Sequence, residues 1–510
     1  MLAKILSFGL NGITGYPVDI ELDINTGIPG FDVVGLADTA IKESKSRVKS
    51  AIKNSAYSYP INKIIINLAP ADTKKEGSMY DLPIALGILV AQDIIKNSAL
   101  EKVVVLGELS LNGEIRKING ILPMLISAKQ LGYGKFIIPK ANAIEAAFID
   151  QIDVYPVETL KEAVEFLKGE IEINKNDCKS FESVLKEHDY KHDFAYVRGQ
   201  ASAKRALEIA AAGGHNILLI GPPGAGKTMM AKCFSSILPD LTFEESLEVT
   251  KIHSVAGVLD SAKGIVAERP FRSPHHTATL IALTGGGTKA KPGEISLAHN
   301  GVLFLDEMPE YARNTIETLR QPMEDGYITV ARNALTVQYP ANFILVASMN
   351  PCPCGYYGSS TTACKCSPND IHKYISKISG PLMDRIDLHI EVDAISFDEL
   401  TLKSLEEPSS VIKERVNKAK SIQLERFKNS KIYSNAKMGE KEFKEHCELD
   451  KESTDILEMA FRKLNLSARA YNRILKVART IADLEGSAKI KKAHILEAIQ
   501  YRSLDKKYTV

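Results

Sequence analysis

The chain has 510 residues, a formal net charge of +1 at pH 7, and 45% hydrophobic and 25% charged residues. This length suits about three domains, and the composition is ordinary for soluble globular protein. The small net charge excludes a general attraction to nucleic acid, so any DNA contact must come from local patches. The longest apolar run, residues 82–91, is too short to span a bilayer, and the cysteines do not suggest a disulfide framework. We therefore expect a cytoplasmic protein with no membrane partner.

The N-terminal third has the pattern of an α/β domain. Apolar and acidic residues alternate over Val18–Ile24, which predicts a strand buried on one face. The apolar stretch 81–92 predicts a helix, and residues 102–106 predict another strand. We expect residues 1–170 to form this domain, followed by a polar, charged linker at 171–192.

Two segments of this domain resemble the catalytic domain of Lon proteases, namely Lys75–Ser78 and Gly107–Ile121. In that family a serine and a lysine form the nucleophilic pair, and the corresponding positions here are Met79 and Leu122. Ser78 is one residue away, but a serine without an activating base is a poor nucleophile. The resemblance therefore implies a Lon-like domain without proteolysis, whose role is scaffolding or packing between subunits.

The most specific motif is a phosphate-binding loop of the form G-x-x-x-x-G-K-[ST]. The apolar run Ile217–Ile220 before it predicts a buried strand, and residues 229–237 after it predict a helix. In this context backbone N–H groups surround phosphate oxygens, which disfavours the alternative of an unrelated glycine-rich turn. Lys227 would reach the β- and γ-phosphates of ATP, and the Thr228 hydroxyl would hold Mg²⁺. The loop comprises Gly221, Pro222, Pro223, Gly224, Ala225, Gly226, Lys227 and Thr228.

Two carboxylates follow a second buried strand. The apolar residues 301–305 end in Asp306 and Glu307. In open α/β sheets ligands bind at the carboxyl ends of the strands. We therefore expect Asp306 to hold Mg²⁺ and Glu307 to polarise the attacking water. The alternative is a strand whose terminal acids are only solvated.

Three later segments resemble elements of the AAA+ ATPases: residues 343–350, 379–387 and 466–475. The resemblance implies that Asn350, at the end of an apolar strand, orients the water and contacts the γ-phosphate. It implies that Arg385 is an arginine finger reaching the nucleotide of a neighbouring subunit. The alternative for this residue is a surface arginine paired with Asp384 or Asp387. It further implies that Arg469 is the sensor-2 arginine, on a helix that Ser467 can cap.

Four further stretches indicate one branch of the AAA+ proteins: residues 271–277, 292–299, 350–355 and the Arg385 segment. They resemble the magnesium-chelatase-like AAA+ proteins of the ComM/YifB type, and the resemblance covers nearly the whole chain. It implies a Lon-like domain, a P-loop AAA+ domain with a parallel sheet at 193–395, and a helical lid at 396–510. It also implies an ATP- and Mg²⁺-dependent homo-hexamer and, for the best-described branch, DNA branch migration during natural transformation.

Two insertions of this AAA+ module are candidates for facing a ring pore. One is residues 254–287, and the other is 327–339, whose alternating apolar residues predict a β-hairpin with Arg332 near its tip. A basic hairpin tip would contact phosphates without reading sequence, and the candidates are Arg332, Lys289 and Lys291. The alternative is a pair of solvated loops with ordinary charges.

Four of the seven cysteines are clustered, in two C-x-C pairs: Cys352 with Cys354, and Cys364 with Cys366. Four thiolates so close in sequence suit tetrahedral Zn²⁺, although the spacing is not the common C-x₂-C. Free thiols and redox-active thiols are the alternatives. We expect a structural zinc site.

Three functions fit these motifs. The first is an ATP-driven ring motor acting on single-stranded or branched DNA, a helicase or branch-migration enzyme of the competence type. The second is a chelatase-like ATPase that remodels a protein and does not act on DNA. The third, an ATP-dependent protease, is disfavoured by Met79 and Leu122. Stimulation of ATP hydrolysis by DNA separates the first two.

Overall fold

The computed structural model describes residues 2–185, 192–287, 290–332, 335–359, 362–394, 406–430, 432–464 and 466–504, except the side chains of Arg332 and Leu335. These residues form two compact units. Unit 1 comprises Met1–Lys186 and Thr242–Ala267, and unit 2 comprises Glu187–Leu241 and Glu268–Val510. Two features differ from the predicted boundaries. Thr242–Ala267, placed within the ATPase domain by sequence, folds with unit 1, and residues 171–185, predicted as part of a linker, also belong to unit 1, where Phe181 is buried. The other boundaries stay predictions.

The strands follow in chain order. They are β1 (Ala3–Asn11), β2 (Thr14–Asn25), β3 (Gly30–Val34), β4 (Lys63–Ala69), β5 (Val103–Val105), β6 (Glu108–Leu109), β7 (Ile115–Arg116), β8 (Lys135–Pro139), β9 (Asp153–Val157), β10 (Ile217–Ile220), β11 (Phe271–Arg272), β12 (Gly285–Gly286), β13 (Lys291–Pro292), β14 (Val302–Leu305), β15 (Tyr327–Arg332), β16 (Leu335–Pro340), β17 (Ile344–Met349) and β18 (Leu388–Glu391).

The α-helices are given in the same order. They are α1 (Thr39–Lys42), α2 (Ser44–Asn54), α3 (Asp81–Ala91), α4 (Ile121–Gln130), α5 (Ala143–Ala146), α6 (Leu160–Lys168), α7 (Ala201–Gly213), α8 (Lys227–Phe234), α9 (Phe243–Ala256), α10 (Leu280–Thr284), α11 (Glu294–Leu297), α12 (Arg313–Glu317), α13 (Arg320–Asp325), α14 (Pro368–Ile375), α15 (Gly380–Met383), α16 (Ser409–Arg426), α17 (Glu440–His446), α18 (Lys451–Leu464), α19 (Ala468–Leu484) and α20 (Lys492–Gln500).

Unit 1 is built on a seven-stranded sheet of order β3-β4-β2-β1-β5-β8-β9. Strand β2 runs antiparallel to β1 and β4, and the other neighbours are parallel. Val18, Ile20 and Leu22 are buried on one face of β2, as their alternation predicts. Helix α3 is apolar on all sides and buried, because it packs against β1 and β2. The α/β fold expected for the N-terminal part is confirmed.

The segment Thr242–Ala267 belongs to unit 1 through its own contacts. Helix α9 packs against α4, and Ser254 accepts the backbone N–H of Gly120 at both its carbonyl and its Oγ, each at 3.1 Å. The Ser254 hydroxyl in turn donates to the buried carboxylate of Glu145. Ile265 packs in a small apolar cluster with Phe148 and Phe181.

Unit 2 contains a five-stranded parallel sheet of order β11-β14-β17-β10-β18. Strand β17 therefore lies between β14 and β10, so the carboxyl ends of these three strands are adjacent. The residues that leave these ends are Gly221, Asp306 and Asn350. Helices α16–α20 make the C-terminal part of the unit, and the predicted cap is present, since Ser467 Oγ accepts from the Ala470 N–H at 3.1 Å. The expected P-loop sheet and helical C-terminal region are confirmed.

The described residues include no helix with the length and apolar character needed to cross a bilayer.

Candidate nucleotide-binding site

The phosphate loop connects strand β10 to helix α8. Gly224 and Gly226 have φ values of +80° and +86°, a region that side chains rarely adopt, which is why the loop needs glycine there. Helix α8 begins at Lys227, so the free N–H groups of its first turn lie at the loop. The loop therefore presents backbone donors and the positive end of a helix dipole to an anion.

Lys227 is held inside this loop. Its ammonium donates to the carbonyls of Gly221 and Pro222 at 2.7 and 2.9 Å, and to Asn350 Oδ1 at 3.2 Å. Only 9% of the residue is exposed. Burial lowers the pKa of Lys227, and the nearby carboxylates of Asp306 and Glu307 oppose this shift. The structure thus joins the loop lysine to the predicted water-orienting asparagine.

Thr228 and Asp306 lie next to each other across the loop. The Thr228 hydroxyl donates to Asp306 Oδ2 at 2.8 Å. The other oxygen, Oδ1, accepts from the hydroxyl of Ser348 on β17, which is fully buried. A hydroxyl and a carboxylate are oxygen ligands of the kind that Mg²⁺ prefers, so this pair fits the predicted magnesium site.

Glu307 follows Asp306 in a left-handed backbone conformation, with φ +50°. Such a conformation costs a non-glycine residue about 1–2 kcal/mol, and strain of this kind is concentrated at functional sites. The Glu307 N–H donates to Ser348 Oγ at 3.1 Å and to Asp306 Oδ1 at 3.2 Å, and these bonds hold the turn. The side chain of Glu307 is exposed, as a carboxylate that polarises water must be.

The predicted arginine finger, Arg385, is bonded to residues other than those of the phosphate loop. Arg385 is only 4% exposed, and its guanidinium contacts Glu324 Oε1 and the Pro381 carbonyl, both at 2.6 Å. Its partner is therefore neither Asp384 nor Asp387, so that part of the alternative interpretation is wrong. Within the described residues, Arg385 makes no hydrogen bond or ion pair to the phosphate loop.

Arg469, like Arg385, acts on Glu324. The cations of Arg385 and Arg469 both lower the pKa of Glu324, with the direct Arg385 bond as the largest cause. Arg385 and Glu324 also line an open cavity of about 520 Å³, together with Thr284, Arg320 and Gln321. Both predicted arginines therefore act on the same carboxylate, that of Glu324.

The four clustered cysteines converge. Their Sγ atoms all lie within 4.8 Å of one another, and three of the separations are 3.4, 3.7 and 3.6 Å. A tetrahedral Zn²⁺ with Zn–S bonds of about 2.3 Å requires sulfur separations of about 3.8 Å, close to these values, whereas a disulfide requires about 2 Å. The donor set therefore fits a four-thiolate metal site.

The candidate pore segments are only partly described. Strands β15 and β16 pair antiparallel, with Arg332 opposite Leu335, so the predicted hairpin is confirmed. Its tip, the side chain of Arg332 and all of Lys289 lie outside the described residues. Lys291 is exposed on β13, which pairs with β12. The other candidate segment, residues 254–287, is divided between the two units, because residues 254–267 belong to unit 1.

The Lon-like positions of unit 1 show no serine–lysine pair. The Ser78 hydroxyl donates to Glu108, and Lys75 donates its ammonium to the Pro70 carbonyl. Leu122 is buried, and its N–H donates to Glu145 Oε1 at 3.3 Å. That this domain does not cleave peptides stays a prediction.

Sequence reasoning missed two residues that organise the site. Ser348 orients Asp306, and it could have been found because it lies two residues before Asn350, on the same face of the strand. Tyr374 is 6% exposed, and its hydroxyl lies beside the Asn350 backbone. Burial raises the pKa of Tyr374 well above its usual value, and the nearby Asn350 backbone opposes this shift. No local pattern indicates Tyr374, because its role depends on where α14 packs.

Three family models match the chain. "Magnesium chelatase, subunit ChlI" matches residues 193–400, "Subunit ChlI of Mg-chelatase" matches residues 20–142, and "Magnesium chelatase, subunit ChlI C-terminal" matches residues 406–502. Together these models cover both units.

Relatives of the same length are similar throughout. Competence protein ComM of Haemophilus influenzae is 43% identical over 99% of this chain and 98% of its own length. An uncharacterized protein of Escherichia coli, YifB, is 42% identical over 97% of this chain and 96% of its own length. A magnesium-chelatase subunit ChlI of Guillardia theta is more distant, with 23% identity over 46% of this chain and 66% of its own length.

Proposed function

The chain belongs to the magnesium-chelatase-like AAA+ ATPases of the ComM/YifB type, and on this premise we propose that it is a ring-forming motor that uses ATP hydrolysis to act on DNA. The observation that carries the proposal is the constellation at the ends of β10, β14 and β17. There Lys227 is bonded to Asn350, and Thr228 is bonded to Asp306.

Each residue of this constellation has a role in phosphoryl transfer. The loop N–H groups and Lys227 bind the phosphates, and Thr228 and Asp306 would hold Mg²⁺, which would supply charge neutralisation. Glu307 polarises the attacking water, and Asn350 orients it. Because positioning and electrostatics account for most of this catalysis, a fixed set of side chains is sufficient.

The contacts of two arginines support the proposal that the protein forms a ring. Arg385 is bonded to Glu324, Arg469 lowers the pKa of the same carboxylate, and no hydrogen bond or ion pair joins either arginine to the phosphate loop within the described residues. In a ring with head-to-tail interfaces, such a group would meet the nucleotide of the next subunit. There Arg385 would exchange Glu324 for the γ-phosphate and stabilise the charge of the transition state. We propose a homo-oligomeric ring on this basis, and the family resemblance favours six subunits.

DNA as the partner is supported by two observations. The relative at 43% identity is named as a competence protein. The β15–β16 hairpin has a basic residue, Arg332, at the end of its first strand. A ring of such hairpins would contact the phosphates of a single strand without reading its sequence.

The test is steady-state ATP hydrolysis by the purified protein, with and without single-stranded or forked DNA at fixed salt. We expect DNA to stimulate turnover and Arg332→Ala to remove the stimulation while leaving basal turnover unchanged. Arg462→Ala is the matched control, because it removes one cation from an exposed helix position. ATP hydrolysis that ignores DNA would contradict the proposal and favour the second function, remodelling of a protein partner.

We also propose that Cys352, Cys354, Cys364 and Cys366 bind one structural Zn²⁺. The support is the converging set of sulfur atoms at near-tetrahedral separations. Elemental analysis of the purified protein tests this proposal, with one zinc per chain expected. Zinc retained at one ion per chain in Cys364→Ser would contradict it.

A further inference from the structure

The turn that carries Cys352 and Cys354 contacts the phosphate loop through Gly355. Gly355, in the turn that begins at Cys352, has φ +86°. A Cβ atom at Gly355 would lie 2.5 Å from Cδ and 2.8 Å from Cγ of Pro223, closer than real Cβ atoms approach their neighbours. The Pro223 ring therefore packs directly on the Gly355 backbone, and only glycine fits this contact.

The same turn is joined to Lys227 through the chain itself. Asn350, which accepts from the Lys227 ammonium at 3.2 Å, is separated from Cys352 by Pro351 alone. The Gly355 N–H donates to the Cys352 carbonyl at 3.0 Å, so the turn is closed by its own hydrogen bond. A displacement of Cys352 would therefore move both Asn350 and the contact with Pro223.

The far end of the cysteine segment returns to Asn350 as well. Cys366 is followed by Ser367, which caps helix α14 by accepting the Asp370 N–H at 3.2 Å. Tyr374 on this helix lies beside the Asn350 backbone, which opposes the rise that burial causes in the pKa of the tyrosine hydroxyl. Both ends of residues 352–366 therefore lead to one asparagine, and the four sulfur atoms are where the ends of this segment meet.

We infer that the metal held by the four cysteines positions the nucleotide cradle, and that Gly355 is the positioning residue through which it acts on Pro223. The inference rests on the zinc site proposed above. Four metal–sulfur bonds close the segment and supply folding free energy locally. Without them the ordering of the segment must be maintained by the turn and α14 alone, so Pro223 and Asn350 lose their support. Nucleotide affinity then falls.

The first experiment separates the contact from the metal. In Gly355→Ala we expect one zinc per chain to remain while the dissociation constant for ATPγS, measured with Mg²⁺ present, rises at least about tenfold. Gly132→Ala is the matched control, since Gly132 has nearly the same φ of +87° and nothing within 4 Å of its Cβ position. Equal ATPγS affinity in the two variants would overturn the role of Gly355.

The second experiment removes the metal from the wild-type chain. After treatment with a zinc-selective chelator and desalting, we expect ATPγS to bind at least about tenfold more weakly, and one equivalent of Zn²⁺ to restore binding. Cys364→Ser should show the same loss without restoration, and Cys178→Ser, at an exposed cysteine of unit 1, should resemble wild type. Zinc-free protein with unchanged ATPγS affinity would overturn the coupling.

A loop variant and a zinc measurement on the wild-type protein separate loss of nucleotide binding from loss of the metal. Lys227→Ala should lose ATPγS binding but keep its zinc, because Lys227 does not contact the cysteines. Wild-type protein that neither contains nor takes up Zn²⁺ would overturn the metal site itself. None of these measurements involves DNA, so a failure of the proposed DNA motor would leave them unaffected. Far-ultraviolet circular dichroism of each variant shows whether it is folded.

Discussion

Thr228 and Asp306 are 78 positions apart in sequence and 2.8 Å apart in the structure, joined by a hydrogen bond from hydroxyl to carboxylate. The bond links the start of α8 to the end of β14. Because Ser348 donates to the other oxygen of Asp306, the carboxylate is held from both sides. Its geometry is therefore set before nucleotide arrives, which reduces the cost of assembling the site.

The first prediction concerns Glu307. Glu307→Gln should bind ATP with near-normal affinity and hydrolyse it more slowly by a factor of about 10² or more, because the water loses its base while the phosphate loop stays intact. Steady-state turnover and ATPγS binding measure the two effects. Glu310→Gln is the matched control, since Glu310 is an exposed glutamate in the next turn and should change turnover little. Normal turnover in Glu307→Gln would exclude Glu307 as the base.

The second prediction tests Arg385 in trans. Arg385→Ala and Lys227→Ala should each be inactive alone, because one lacks the finger and the other lacks the phosphate contact. Mixed in equal amounts, they should regain activity, since about a quarter of the head-to-tail interfaces then combine an intact loop with an intact arginine. ATP hydrolysis after mixing is the measurement. Mixed rings, confirmed by mass, that stay inactive would show that Arg385 acts structurally.

The third prediction is a pH dependence in unit 1. Asp81 is 1% exposed, and burial raises its pKa to about 6 although Arg47 donates to it at 2.6 Å. The folded pKa lies above the unfolded value of about 3.9, so the contribution of Asp81 to stability is present below pH 4 and is lost as the pH rises through 6. From pH 4 to above 6, the free energy of unfolding of Asp81→Asn should therefore rise relative to wild type, by about 3 kcal/mol.

Hydrogen exchange in helix α3, which begins at Asp81, measures this difference locally. A difference between Asp81→Asn and wild type that is constant across this range would refute the raised pKa.

The fourth prediction concerns the attachment of residues 242–267 to unit 1. Ser254→Ala removes a donor to the buried Glu145 and an acceptor for the Gly120 N–H, which should cost about 1–3 kcal/mol. Faster hydrogen exchange or proteolysis within the segment is the expected result. Ser261→Ala removes only an exposed acceptor for the Lys117 ammonium from the same segment and should have much less effect. Equal protection in the two variants would mean that the Ser254 bonds do not hold the segment.

The nucleotide site was predictable from sequence because its residues sit at the ends of apolar strands. Asp306 and Asn350 each follow such a strand, Lys227 begins the helix after the phosphate loop, and the parallel sheet brings the three together. Ser348 and Tyr374 were missed because their roles depend on packing across strands and helices. The partner of Arg385 was missed for the same reason, since Glu324 is distant in sequence.

Strand content was harder to predict than the site. Strand β1 was missed at the N-terminus, although it pairs with β2 over its full length. Its local sequence mixes glycine and lysine with apolar residues, and only pairing with β2 and β5 settles its structure. The inclusion of Thr242–Ala267 in unit 1 had no local signal, because it depends on contacts such as Ile265 with Phe148.

That inclusion limits how the protein can be divided. The polypeptide passes between the two units at residues 186/187, 241/242 and 267/268, so a single cut in the predicted linker does not separate them. A truncated chain starting at residue 193 would keep Val249, Ile252 and Ile265 without the unit in which they are buried. Such a fragment is expected to aggregate. The same restriction applies to recombination, because a single crossover cannot exchange either unit as a whole.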